Sequence, residues 1–294
     1  MRIPNELRAP EGIRNAAEGG TLSAKAGASR CAARLARALV VACALGAASL
    51  AGAIDVSHAD AMRIGRKIWQ NECAGTVSGL TSWNSGENFA SLGIGHFIWY
   101  PKGVRGPFEE SFPDLVRFAA SRNAKLPQVV IANRDSGCPW SSRAEFLAAT
   151  DSPPMTELRR FLAATVDLQA EFLVERLQHA LPKLLAEASP AARANVERQF
   201  ARVATSPQGC YALIDYVNFK GEGVLDTERY GGQGWGLLQV LEGMTGTGDG
   251  PPAAQEFARS ARSVLTRRVK NSPPDRKESL WLAGWLQRVA SYTH

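Results

Sequence analysis

Residues Asn71–Tyr100 read NECAGTVSGLTSWNSGENFASLGIGHFIWY, and the change of pattern inside this stretch decides the fold. It opens on the end of an amphipathic helical segment, crosses a Gly/Ser/Thr/Asn-rich region and enters an apolar run carrying Gly93, Gly95 and His96. A period near 3.6 gives way to alternation, which marks a helix handing the chain to strands. Downstream, from Ser141 to Ala204, apolar residues recur at three and four: Phe161, Leu162, Leu168, Phe172, Leu173 and Leu177 form one helix face. Ser152-Pro153-Pro154 and Ser189-Pro190 read as helix starts, a cap followed by proline in the first turn. The expectation is an α+β, mainly α-helical fold, in which a small β-hairpin region over residues 75–100 packs against a larger helical body.

The same stretch carries chemistry. Glu72 ends the helix among Ile68, Trp69 and Cys73, whose crowding would desolvate a carboxyl group and suit it to proton donation. Glu87 follows the turn-favouring Asn84-Ser85-Gly86, so a second carboxylate can face the first across a groove. Paired carboxylates cut glycosidic bonds. Ser91 opens SLGIGH; with Leu92 and Ile94 packed inward its hydroxyl could hold a water, provided Asn88-Phe89-Ala90 bend to bring it near Glu87. The glycines allow a substrate or another backbone to come close. Trp83, beside the loop, is read as a platform for a sugar face, whereas Trp99, Tyr100, Phe108 and Phe112 suit either stacking or packing.

The pattern E-x(n)-[ST]-hydrophobic-G-hydrophobic-G-H, formed by Glu72, Ser91 and the run Leu92–His96, resembles the phage-type lysozymes (endolysins) of the lysozyme-like superfamily. DYVNFKGEG (Asp215–Gly223) is similar to their helical F-x-F-N-x-G motif, and SLWLAGWLQRVASY (Ser279–Tyr292) to their Trp/Arg-rich closing helix. Ser91 stands where that family usually has Thr, and both the Glu72–Ser91 loop and the helical region between the motifs are longer. The resemblance implies a lysozyme-like fold and cleavage of the β-1,4 bond between N-acetylmuramic acid and N-acetylglucosamine. It casts Glu72 as the acid, Glu87 and Ser91 as the water site, and Asn84 and His96 as substrate contacts, with Asn218, Gly221, Tyr230 and Gln239 on the opposite wall; capping and turn geometry is the plainer role for that wall. A rival lies in KGEGVLDTERYGGQGWGLLQVLEGM (Lys220–Met244): Glu222 follows a helix, and GWGLLQV resembles the G-L-M-Q run of soluble lytic transglycosylases, which use one glutamate. A non-catalytic wall-binding protein on the same scaffold is the third reading, and chitin or chitosan would suit the same groove as peptidoglycan.

The first 59 residues differ in kind. An Arg-containing lead precedes ALVVACALGAASLAGA (Ala38–Ala53), an acid-free run too short for a span of roughly twenty residues and read as a secretory signal, cleaved after Ala53 or Ala59. Val40-Val41-Ala42-Cys43 mimics a lipoprotein box with few apolar residues ahead of it. Residues 60–294 then form a single domain, periplasmic or secreted and expected to be a monomer. The leader holds seven Lys/Arg and four Asp/Glu, so its removal takes the formal charge from +6 to +3, which gives no electrostatic case for nucleic acid. The domain keeps Cys73, Cys138 and Cys210, enough for one disulfide and a spare thiol, and shows no metal spacing and no cofactor motif. Sequencing the N-terminus of protein recovered from the cell envelope should find a new start after Ala53 or Ala59; an intact Ala38–Ala53 run in cytosolic protein would contradict export.

Overall fold

The first long helix, α1 (His58–Cys73), is set at both ends by local chemistry. Ser57 caps it, its hydroxyl accepting from Asp60 N at 3.1 Å, and Ala74 ends it in the left-handed conformation at φ 52°. In this computed structural model residues 56–106 and 108–293 are described; Cys43 and the apolar run read as a signal lie outside the described residues. Ala61, Ile64, Gly65 and Ile68 bury one face of α1 against α6 (Val166–Glu187), and a Cβ on Gly65 would collide with Ala170. The helices approach closely there, and Glu72 is carried to the penultimate position of α1 at the edge of the sheet.

The strands follow at once. A short 3-10 turn, Ser78–Leu80, leads into β1 (Thr81–Ser82), β2 (Ala90–Leu92) and β3 (Phe97–Trp99), one antiparallel sheet in the order β1-β2-β3. Ser91 stands opposite Ser82 on one side and Ile98 on the other. Leu92, Ile94, Phe97 and Trp99 are buried, as the alternation predicts. Gly93 takes φ +73°, and a Cβ there would strike the Gln169 amide of α6. That amide accepts from Ile94 N at 2.9 Å and donates to Leu162 O at 2.7 Å, so the close approach at Gly93 belongs to a protein side chain and not to a substrate.

The rest is helical. Phe112–Ser121 (α2), Gln128–Ala132 (α3), Arg143–Ala148 (α4), Pro153–Ala164 (α5), α6, Pro190–Ala204 (α7) and Pro207–Lys220 (α8) follow in order. Ser152, Ser189 and Ser206 cap their helices with proline at the start, so these beginnings are fixed by sequence. A small hairpin, β4 (Arg229–Tyr230) and β5 (Gln233–Gly234), precedes α9 (Leu237–Glu242), α10 (Pro251–Asn271) and α11 (Ser279–Ala290). One hydrophobic core runs from Ile68 and Leu92 through Phe172 and Leu213 to Phe257 and Tyr292. No described helix is long and apolar enough to cross a membrane.

One expectation is corrected, and one left open is decided. Cys73, Cys138 and Cys210 are buried free thiols, so no disulfide joins them. They lie in separate parts of the core: Cys73 Sγ donates to Gly93 O at 3.4 Å and Cys210 Sγ to Ala204 O at 3.3 Å. Burial pushes Cys73 and Cys138 up to about 12 and Cys210 to about 11. Trp99, Tyr100 and Phe112 are packing residues, each at most 4% exposed. Because Gln169 is fully buried and is the hydrogen-bond acceptor for Ile94 N, Gln169→Leu should cost about 1–3 kcal/mol in urea unfolding, the penalty for an orphaned buried donor.

Candidate active site

The strand face opposite the core, carrying Ser91 and Ile98, forms one wall of a cavity of roughly 850 Å³, and the end of α8 forms another. Glu72, Glu87, Ser91, His96, Asn218 and Glu222 all line it. Residues read from both halves of the chain therefore meet in one cleft.

Glu72 sits among polar partners rather than in the apolar pocket expected from its neighbours in sequence. Arg288 Nη2 of α11 donates to its Oε1 at 2.6 Å and Asn218 Nδ2 approaches the same oxygen at 3.4 Å. Oε2 has only His96 Nδ1 nearby, at 3.5 Å, and the side chain is 16% exposed. Arg288 is itself held by Asp215, whose oxygens accept from Nε at 2.9 Å and Nη2 at 2.8 Å. Asp215 is fully buried and also accepts from Tyr292 Oη at 2.7 Å and Asn71 Nδ2 at 3.3 Å. Burial alone would lower the Arg288 pKa, but Asp215 and Glu72 hold it well above the usual guanidinium value. The sequence reading missed Asp215, Arg288 and Tyr292 as site residues; all lie within the two downstream motifs, where an Asp and an Arg on apolar helices are the available signal.

Glu87 closes the turn that starts at Asn84, its N donating to Asn84 O at 3.3 Å, and the chain bends at Asn88 and Phe89 before β2 begins at Ala90. Its Oε2 is buried without a hydrogen-bond partner among the described residues, an acceptor left over for something in the cleft. Ser91 is 3% exposed and faces the cleft between two inward-pointing neighbours, Ala90 and Leu92. Asn84 is exposed on the rim.

Three substrate-contact expectations are corrected. Trp83 is 4% exposed, its ring packed edge-on to Phe146 and its Nε1 donating to Glu87 O at 2.8 Å; it braces the Glu87 turn and presents no open face. Phe108, 51% exposed, is the aromatic on the cleft wall that offers one. Tyr230 turns away, its hydroxyl on Glu278 at 2.9 Å and its ring against Trp235. Gln239 ties the loop before α9, donating to Gly223 O at 3.1 Å and accepting from Gly236 N at 3.0 Å, the turn role weighed for it from the sequence.

Glu222 follows α8 after Gly221, which ends that helix at φ +86°. Lys183 Nζ donates to its Oε1 at 3.0 Å. Burial lifts the Glu222 carboxyl above the usual carboxylate range, against the opposing pull of Lys183. No family model matches the chain, and no curated protein or solved structure matches it either.

A carboxyl whose folded pKa is raised contributes stability below its unfolded value, near pH 4.3 for Glu, and that contribution is lost as pH rises through the folded value. Glu222→Gln should therefore gain in Tm relative to the parent protein as pH increases above roughly 4.3. A Tm difference that is flat with pH would contradict the raised value.

Proposed function

We propose that the chain is an exported glycoside hydrolase with a lysozyme-like fold that cleaves the β-1,4 bond between N-acetylmuramic acid and N-acetylglucosamine in peptidoglycan. The observation that carries this reading is the convergence of Glu72, at the end of α1, with Glu87 and Ser91 on one cleft facing Asn218 of α8. With Oε1 engaged by Arg288 and Asn218, Oε2 of Glu72 is the oxygen that carries the proton and gives it to the glycosidic oxygen as the bond breaks. Glu87 accepts a proton from the attacking water, which Ser91 orients. Such a geometry leads to inversion when the carboxylates stand roughly 6.5–9.5 Å apart, with room for water between them.

A second reading has its own observation. Glu222 lines the same cleft, and burial keeps its carboxyl protonated to higher pH than usual, as a proton donor requires. As a lytic transglycosylase it would protonate the leaving oxygen while the muramic acid 6-hydroxyl closes on the anomeric carbon. Assays on purified sacculi separate the two. Glu72→Gln should lower the rate about 10²- to 10⁴-fold, Glu222→Gln should keep activity, and the fragments should carry ordinary reducing ends. An active Glu72→Gln protein, a dead Glu222→Gln protein and fragments lighter by one water would establish the transglycosylase instead.

A further inference from the structure

Beside the cleft lies a second cavity of roughly 400 Å³, continuous with it through Arg176, Lys183 and Glu222. Its long wall is one face of α6, where Phe172, Glu175, Arg176, His179 and Lys183 follow at helical spacing. Arg176 lines both cavities, yet its guanidinium, with five donors in a fixed fork, makes no hydrogen bond to any described residue. Its nearest carboxylate is Glu109 Oε2 at 4.0 Å, on a side chain 52% exposed, whereas Arg176 is only 22% exposed. Glu175, on the same wall, has no ion-pair partner among the described residues. Asp114 and Arg117 pair along α2, and Lys183 is shared between Glu222 at 3.0 Å and Glu109 at 3.7 Å.

The charge pattern selects the ligand. Four carboxylates and three cations line the cavity, so a group that brings charge of both signs suits it better than a doubly charged phosphate. A carboxylate matches the planar fork of Arg176, and a cation matches Glu175. We propose that the side cavity binds a zwitterionic amino acid or short peptide, its carboxylate on Arg176 and its ammonium group on Glu175. The site stands independently of the glycosidase reading. Where both hold, the two charges can belong either to a free peptide or to a peptide branch on the glycan that carries a side-chain amine beside a free carboxylate.

Calorimetric titration with alanyl-alanine tests the site directly. The dipeptide with both ends free should bind saturably, and its C-amidated form, or Arg176→Gln, should weaken binding about ten- to a hundredfold, the worth of charged hydrogen bonds. Glu175→Gln should weaken the free dipeptide and leave the N-acetylated form unchanged; it decides the question should Arg176→Gln fail to fold. Equal binding of all three dipeptides, no binding of any, or a Glu175→Gln protein that does not distinguish them would overturn the proposal. Digestion of peptide-bearing and peptide-stripped glycan identifies the source: Glu175→Gln slows only the former if the ligand is a branch, and neither if it is a free peptide. A parent protein that cleaves neither glycan would refute the glycosidase reading while leaving the titration to judge the side cavity.

Discussion

The structure depends on one half-buried cation. Arg288 enters from the last helix and reaches two carboxylates, Asp215 from the middle of α8 and Glu72 from the end of α1, so a single guanidinium joins three helices far apart in sequence. Asp215 is fully buried, and taking it out of water would be costly without the four donors that surround it. The satisfied cluster fixes distances between helices, whereas loss of Arg288 would leave Asp215 buried and without its charged partner, a change worth about 3–5 kcal/mol. Tyr292 closes the cluster from the far end: burial and Asp215 hold its hydroxyl protonated, so it serves only as a donor to that carboxylate.

That arrangement sets the character of the cleft. Glu72 is presented at the end of a helix pinned through its own side chain, and the strands that follow α1 are carried with it. The two candidate acids in the cleft, Glu72 and Glu222, are held differently. Glu72 lies under a guanidinium that is itself fixed by Asp215, whereas Glu222 lies on a backbone turn beside Lys183, whose 46% exposed side chain is shared with Glu109 at 3.7 Å.

What could be read from the sequence is what local chemistry determines. Serine caps followed by proline start helices wherever they occur, and the alternation of Leu92, Ile94 and their neighbours specifies an inner and an outer face of the sheet. Glu72, Glu87, Ser91, His96 and Asn218 fall on the cleft because each is placed by such a local element. The β4–β5 hairpin went unread, although Gly231-Gly232, at positive φ in both positions, is the pair that a two-residue hairpin turn demands. The role of Trp83 was not: a tryptophan beside a loop has the same sequence signature whether it faces a sugar or Phe146. Nor was the reach of Arg288 to Glu72 across 216 positions, because nothing local records which buried carboxylate a distant arginine will meet.

The asymmetry at Glu72 is the last consequence of that reach. Two N–H donors point at Oε1, so Oε2 is the oxygen that they leave open. Beside Oε2 stands His96, a non-glycine residue at φ 49°, a conformation that costs roughly 1–2 kcal/mol for an L-residue. That left-handed turn brings Nδ1 to 3.5 Å from Oε2 and Nε2 to 3.5 Å from the Ser82 hydroxyl on β1. Both contacts are long for hydrogen bonds, so the imidazole limits the space around Oε2 without consuming its lone pairs. On the glycosidase reading this matters, because the oxygen that gives up the proton must be free to meet the glycosidic oxygen. Arg288 engages one oxygen of the carboxylate and the strained turn at His96 borders the other, leaving Oε2 directed into the cleft.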